Sequence, residues 1–179
     1  MGALRGNIQK MNHHQQVVEL FKEHFGERNL VGIEIGTCQG LLTKTLLMYF
    51  PNLQKLYTID PYLHDDKSEF EAHQPQPWLD DCLDQANKAL AEYGDRKMQL
   101  VMKSDMAVVL TPDLVDFVWI DGDHTISQIE RDSMNYYPKV VVGGIFGGHD
   151  YSPSSVALSH VLPELKVITG EDMTWWVLK

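Results

Sequence analysis

Only two cysteines occur in the 179 residues, Cys38 and Cys82, and they offer neither a disulfide framework nor the paired spacing of a zinc site. Both are expected to be reduced thiols. Positive charge is in short supply: 15 Lys and Arg stand against 25 Asp and Glu, a formal net charge of −10. Such a balance repels polyanions and anionic membrane surfaces, and no cluster of Lys and Arg offsets it, so neither nucleic acid nor membrane is expected as a partner. No apolar run approaches a bilayer span, and Met1 to Asn7 lacks the apolar centre of a signal peptide, so a cytoplasmic location is expected. Repeats and low-complexity tracts are missing too. What remains is a chain of ordinary globular composition, with room for one domain over 1–179, a helical segment over 1–28 and a sizeable core.

The stretch that organises the rest is Val31-Gly-Ile-Glu-Ile-Gly-Thr-Cys-Gln-Gly40, an apolar run that ends in a glycine-rich loop. It reads as a buried strand, a turn and a helix start, and glycine at the turn lets main-chain N–H groups approach a ligand. The spacing Glu-x-Gly-x-x-x-Gly differs from the Gly-x-Gly-x-x-Gly of dinucleotide sites, so a pyrophosphate cradle is the weaker reading. A second strand, Lys55 to Asp60, also ends on an acid, where a carboxylate can accept two hydrogen bonds from a ribose diol.

Helical stripes are read at Val17, Val18, Phe21 and Phe25, at Leu41 to Phe50, and from Trp78 to Tyr93. His13 and His14 precede the first stripe and read as an exposed pair without a role. Between Pro61 and Pro77 the chain is polar and irregular, expected as a lid or substrate loop. Met98 to Met102 gives a third strand and Asp116 to Asp121 a fourth, which delivers Asp121-Gly-Asp-His124. Gly143-Gly144 is read as a turn into a fifth strand, Gly144 to Gly148, delivering His149-Asp150-Tyr151, and Ser152-Pro153 as the N-cap and first residue of another helix. Leu165 to Thr169 and Thr174 to Leu178 close the chain as a hairpin in which Trp175 and Trp176 face opposite sides. The expected fold is therefore α/β, a Rossmann-like, doubly wound, mostly parallel seven-stranded sheet with a C-terminal antiparallel hairpin and helices on both faces. Ligands of such sheets lie beyond the carboxyl ends of the strands, where every acid and histidine motif above falls.

The order of these motifs resembles the class I S-adenosylmethionine-dependent methyltransferases, and Asp121-Gly-Asp-His124 with Gly143-Gly144 and Gly148-His-Asp-Tyr151 is similar to the small methyltransferase family of domain type 24. The resemblance implies that Glu34, Gly36, Thr37 and Gly40 approach the methionine part of S-adenosylmethionine. Asp60, followed by Pro61, would take the ribose, and Ser104 with Asp105 the adenine. Asp121 is also implied at the cofactor. Asp121, His149 and Asp150 fall at the divalent-metal positions of the metal-dependent O-methyltransferases, and His124 where those enzymes keep a general base. Mg²⁺ or Mn²⁺ is the implied ion, with His149, where relatives more often carry an acid, shifting preference toward softer metals.

The function expected on this resemblance is methyl transfer to oxygen of a small hydroxylated acceptor, with His124 and Asp121 as catalytic residues. Two alternatives stay open: a metal-dependent hydrolase or hydroxylase-like relative, and a catalytically silent module that keeps the cofactor pocket. The sequence leaves homo-oligomerisation open as well.

Overall fold

Alternating apolar residues send successive side chains of each strand to opposite faces, and that alternation builds the two cores of the computed structural model, which describes residues 13–66 and 73–179. In β1 (Leu30–Ile35) Leu30 enters one core while Val31, Ile33 and Ile35 enter the other. The same split puts Phe117 and Trp119 of β4 (Val115–Ile120) on the first face and Val118 and Ile120 on the second. The remaining strands are β2 (Leu53–Ile59), β3 (Lys97–Leu100), β5 (Val140–Gly148), β6 (Ile168–Thr169) and β7 (Trp175–Leu178). They form one seven-stranded sheet in the order β3-β2-β1-β4-β5-β7-β6, parallel except for β7, which runs antiparallel to β5 and β6.

The apolar stripes of α1 (His13–Phe25) and α2 (Leu41–Tyr49), with Leu90 of α3 (Gln76–Leu90), close the first core. On the opposite face lie Ala107 of α4 (Ser104–Ala107), Tyr136 of α5 (Ile126–Tyr136) and Leu158 of α6 (Tyr151–Val161). The expected doubly wound sheet with helices on both faces is thus what the chain forms. Trp175 is fully buried in the second core while Trp176 packs half-buried on the first, as adjacent strand positions require. No helix among the described residues is long and apolar enough to cross a membrane.

Several boundaries differ from those expected, among them β2, which begins at Leu53, β3, which spans Lys97–Leu100, and β6, which begins at Ile168; three others concern glycine or proline. β5 begins at Val140, and Gly143-Gly144 lies inside it, where the pairing with β4 jumps from Val115↔Val140 to Phe117↔Ile145. The glycines mark an irregularity in a strand, not the turn before one. α6 takes Asp150 as its N-cap and starts at Tyr151, so Ser152 and Pro153 already lie in its first turn. α3 begins at Gln76, with Pro77 in the first turn, where a missing N–H costs nothing. Of the loop 61–77, residues 67–72 lie outside the described residues, as does 1–12 of the N-terminal segment.

The sheet carries its hydrogen-bond pattern one residue past its strands. Gly36 N donates to Ile59 O (2.8 Å), Asp60 N to Leu100 O (3.2 Å), Asp121 N to Ile35 O (2.7 Å) and His149 N to Ile120 O (3.0 Å). Four tip residues from four strands are thereby set side by side along the carboxyl edge.

Candidate functional site

Above that edge lies a cavity of about 500 Å³. Glu34, Gly36, Thr37, Asp60, Pro61, Ser104, Asp121, His124, His149 and Asp150 all line it, so the structure brings together ten of the twelve residues singled out in the sequence. Gly40 and Asp105 do not line it. Gly40 has a φ of 75° at the start of α2, and an added Cβ would come within 3.2 Å of Leu90, so its glycine serves close packing of α2 on α3. Asp105 points away, toward Arg131 Nε (3.3 Å) and Asn135 Nδ2 (3.4 Å). The i, i+1 step from Ser104 on a helix separates the two side chains.

The loop after β1 is held in an uncommon shape. Gly36 has a φ of 95°, and a Cβ there would sit 2.0 Å from Asp121 O. Only a residue without a side chain lets β1 and β4 end so close together. Asp60 ties this loop to the next: Oδ2 accepts from Cys38 N (2.8 Å) and Oδ1 from Tyr62 N (2.9 Å). Tyr62 Oη donates to Cys38 O (2.8 Å), closing the clamp. Thr37 Oγ1 is buried and has no hydrogen-bond partner among the described residues, an orphaned polar atom in the cavity wall of the kind a bound ligand satisfies. Cys38 and Cys82 stand 3.9 Å apart, sulfur to sulfur, and burial pushes the Cys38 thiol up to about 12, which keeps it protonated and inert.

Glu34 is fully enclosed beneath this loop and takes a hydrogen bond from Thr43 Oγ1. Burial, reinforced by the charges of Asp121 and Asp60, raises its carboxyl from 4.5 to about 8, so it is protonated at neutral pH in the empty protein. A proton held by the folded state and released by the unfolded one favours folding at low pH, and that contribution fades as pH rises from about 4.5 to 8. Glu34→Gln removes it. The variant is expected to gain on the parent by a few kcal/mol, roughly, as pH rises from 5 to 8.5, read as diverging thermal-unfolding midpoints. A constant gap across that range would show Glu34 ionised throughout.

Next along the carboxyl edge, the tips of β4 and β5 place Asp121, His124, His149 and Asp150 together. His124, buried, has Nε2 3.1 Å from Asp150 Oδ2. His149 Nδ1 lies 3.2 Å from Asp150 Oδ2 and 3.8 Å from Asp121 Oδ1. Asp150 adopts a φ of 52°, and Ser154 Oγ donates to its carbonyl (3.0 Å) while Trp175 Nε1 donates to that of His149 (2.9 Å). A left-handed aspartate costs about 1 kcal/mol or more, and these neighbours over-determine it. Asp123 Oδ1 accepts from Thr125 N (2.9 Å), the local cap its position in the turn suggests.

One donor atom each from Asp121, His124 and Asp150 lies within 4.8 Å of the others. Two carboxylates and an imidazole suit Mn²⁺ or Mg²⁺ with water completing the shell, and ligands at about 2.0–2.2 Å from an ion stand roughly 3–4 Å apart, so the set fits with slight contraction. In this grouping His124, not His149, joins the two aspartates. The triad implied by the resemblance differs by one ring.

Sequence reading passed over three residues of the wall. His14 on α1 lines the cavity half-buried, and burial first, then the nearby His149, lowers its pKa. As one of an adjacent pair it carries no signal in the sequence, and only the packing of α1 on the sheet brings it to the cavity. Gln128 and Asp132 of α5 line the end beside Ser104. Their i, i+4 spacing marked one helix face, but a polar pair on a helix ordinarily reads as solvated. Of the loop after β2, Pro61, Tyr62, Leu63 and Asp65 contribute, and Asp65 pairs with Lys103 (3.0 Å), the residue before Ser104. His24, His64, His73 and His160 do not line the cavity; His24 bonds Gly143 O (2.9 Å) and His160 pairs with Glu130 (2.7 Å).

The sequence model of a family described as "Methyltransferase domain" matches residues 33–151. No curated protein sequence matches the chain. Among solved structures, CalS11, a TDP-rhamnose 3'-O-methyltransferase of calicheamicin biosynthesis, is similar with a TM-score of 0.65 and 11% identity over 93% of this chain and 80% of that one. The O-methyltransferase NovP gives 0.64 and 19% over 93% and 78%. An rRNA methylase from Streptococcus thermophilus gives 0.64 and 10% over 94% and 98%. At these identities the likeness is one of fold.

Proposed function

The chain belongs to the methyltransferase-domain family whose sequence model covers residues 33–151, and from that premise we propose that it carries the methyl group of S-adenosylmethionine to an oxygen of a small hydroxylated acceptor. The observation that carries the reading is the pair of buried His124 and part-buried Asp150, which lines one cavity with the Gly36 loop. The loop and Asp60 take the methionine and ribose parts. The acceptor then lies against Asp121, His124 and Asp150, on the side that His14 and His149 also border.

Methyl transfer from a sulfonium needs the acceptor oxygen in line with the breaking C–S bond, so positioning supplies much of the rate. A hydroxyl must also shed its proton. His124 takes it on the ring nitrogen other than Nε2, because Nε2–H donates to Asp150 Oδ2 (3.1 Å), and that carboxylate stabilises the imidazolium that forms. Asp121, His124 and Asp150 are also the residues that would hold a divalent ion; such an ion would lower the pKa of an acceptor hydroxyl in place of the base, since a ring nitrogen that binds it has no lone pair for a proton. The carboxylates of Asp60 and Asp121 give the cavity the sign that suits a cationic sulfonium.

The formal charge of −10 favours a small acceptor over RNA, and the same reading takes 1–179 as one cytoplasmic methyltransferase domain. Calorimetric titration with S-adenosylmethionine and S-adenosylhomocysteine is expected to show one site for each at micromolar affinity or better. Folded protein that binds neither overturns the reading. Turnover on an RNA fragment, with none across a panel of phenols, sugars and other small alcohols, would move the acceptor to nucleic acid.

A further inference from the structure

Asp132 is 1% exposed yet lines the cavity, beside Ser104. Both of its hydrogen bonds fall on one oxygen: Oδ1 accepts from Ser104 Oγ (2.6 Å) and from Gln128 Nε2 (3.0 Å). Gln128 Nε2 also reaches Ser104 Oγ (3.0 Å), and Gln128 Oε1 accepts from Arg131. Ser104 O is taken by Tyr136 Oη (2.7 Å). Ser104 Oγ is therefore engaged as donor and acceptor within the protein, and so is the amide of Gln128. The polar atom that this cluster still offers a ligand is Asp132 Oδ2.

We propose that Asp132 determines base specificity, its Oδ2 accepting a hydrogen bond from the exocyclic amino group of an adenine while Ser104 and Gln128 fix the carboxylate's orientation. The proposal rests on the S-adenosylmethionine reading. If the reacting methyl is at His124 and the ribose at Asp60, the base extends past β2 toward β3, the strand that ends just before Ser104. A buried acceptor oxygen there selects for a donor. Adenine supplies one, whereas hypoxanthine turns a carbonyl toward the same oxygen and leaves two acceptors facing each other, and a site built around such a hydrogen bond rejects the analogue that lacks it. Burial raises the Asp132 carboxyl to about 7, which accords with an oxygen that has no partner from the protein.

The test compares S-adenosylhomocysteine with its deaminated analogue S-inosylhomocysteine by calorimetry, on the parent protein and on Asp132→Asn. The parent is expected to prefer the adenine ligand by about 30-fold or more. In the variant the amide oxygen must replace Oδ1 to keep Ser104 and Gln128 as donors, which turns the NH₂ toward the base. Preference should then shrink or invert in favour of hypoxanthine, an outcome that a merely structural role would not produce. Equal affinity of the parent for both ligands overturns the proposal while leaving the methyltransferase reading intact, and so does a variant that weakens both in parallel. Binding of neither by the parent overturns that reading and the proposal with it. Should the variant fail to fold, the ratio measured on the parent alone decides.

Discussion

Alanine at position 36 is expected to abolish binding of S-adenosylhomocysteine and to destabilise the protein by about 3 kcal/mol or more. Two costs coincide. The backbone sits at φ 95°, which a side chain strains, and the added Cβ would lie 2.0 Å from the carbonyl oxygen of Asp121. That neighbour is backbone, and its strand is locked to β1 by Asp121 N to Ile35 O (2.7 Å), so it cannot yield without moving the tip of β4. The displacement would reach both the loop after β1 and Asp121, which line the cavity together. Gly40→Ala makes the contrast: its added Cβ would meet the Leu90 side chain at 3.2 Å, and its φ is 75°, so it should destabilise without contacting the ligand. Calorimetry together with thermal unfolding separates the two. Near-parental affinity in Gly36→Ala would show that the loop does not hold the cofactor.

The second large effect is expected at His124. His124→Ala should lower kcat by about 10² to 10⁴, the usual worth of a positioned base, while S-adenosylhomocysteine affinity changes by less than about threefold. The split follows from geometry: His124 pairs with Asp150 at 3.1 Å beyond the tips of β4 and β5, whereas the loop that carries Gly36 and Thr37 follows β1. The same variant should bind Mn²⁺ about tenfold or more weakly if the imidazole also completes a cation site with Asp121 and Asp150. Unchanged kcat would remove His124 from the chemistry. A parallel loss of cofactor affinity would make its role structural.

Much of this was legible in the chain. Glu34, Asp60, Asp121 and the His149-Asp150 pair follow apolar runs of period two, and a parallel sheet delivers whatever ends its strands to one edge. Gly36 was legible because a glycine directly after a buried strand has few other reasons to be there. The boundaries of β5 and α6 were not. Gly143-Gly144 and Ser152-Pro153 carry strong local signals, yet the pairing of β5 with β4 and β7 and the pinning of Asp150 by Ser154 outweigh them.

By itself, then, the sequence determined the order of the strands' tips and the kinds of group placed there, because those depend on local periodicity and on glycine. Only the tertiary structure decided which side chains share the cavity. It turned His14 inward, gave Gly40 to helix packing, faced Asp105 toward Arg131, set His124 against Asp150 and left one oxygen of Asp132 open to a ligand. Each of those outcomes rests on the angle at which a helix meets the sheet, a quantity that belongs to two elements at once and is written in neither segment alone.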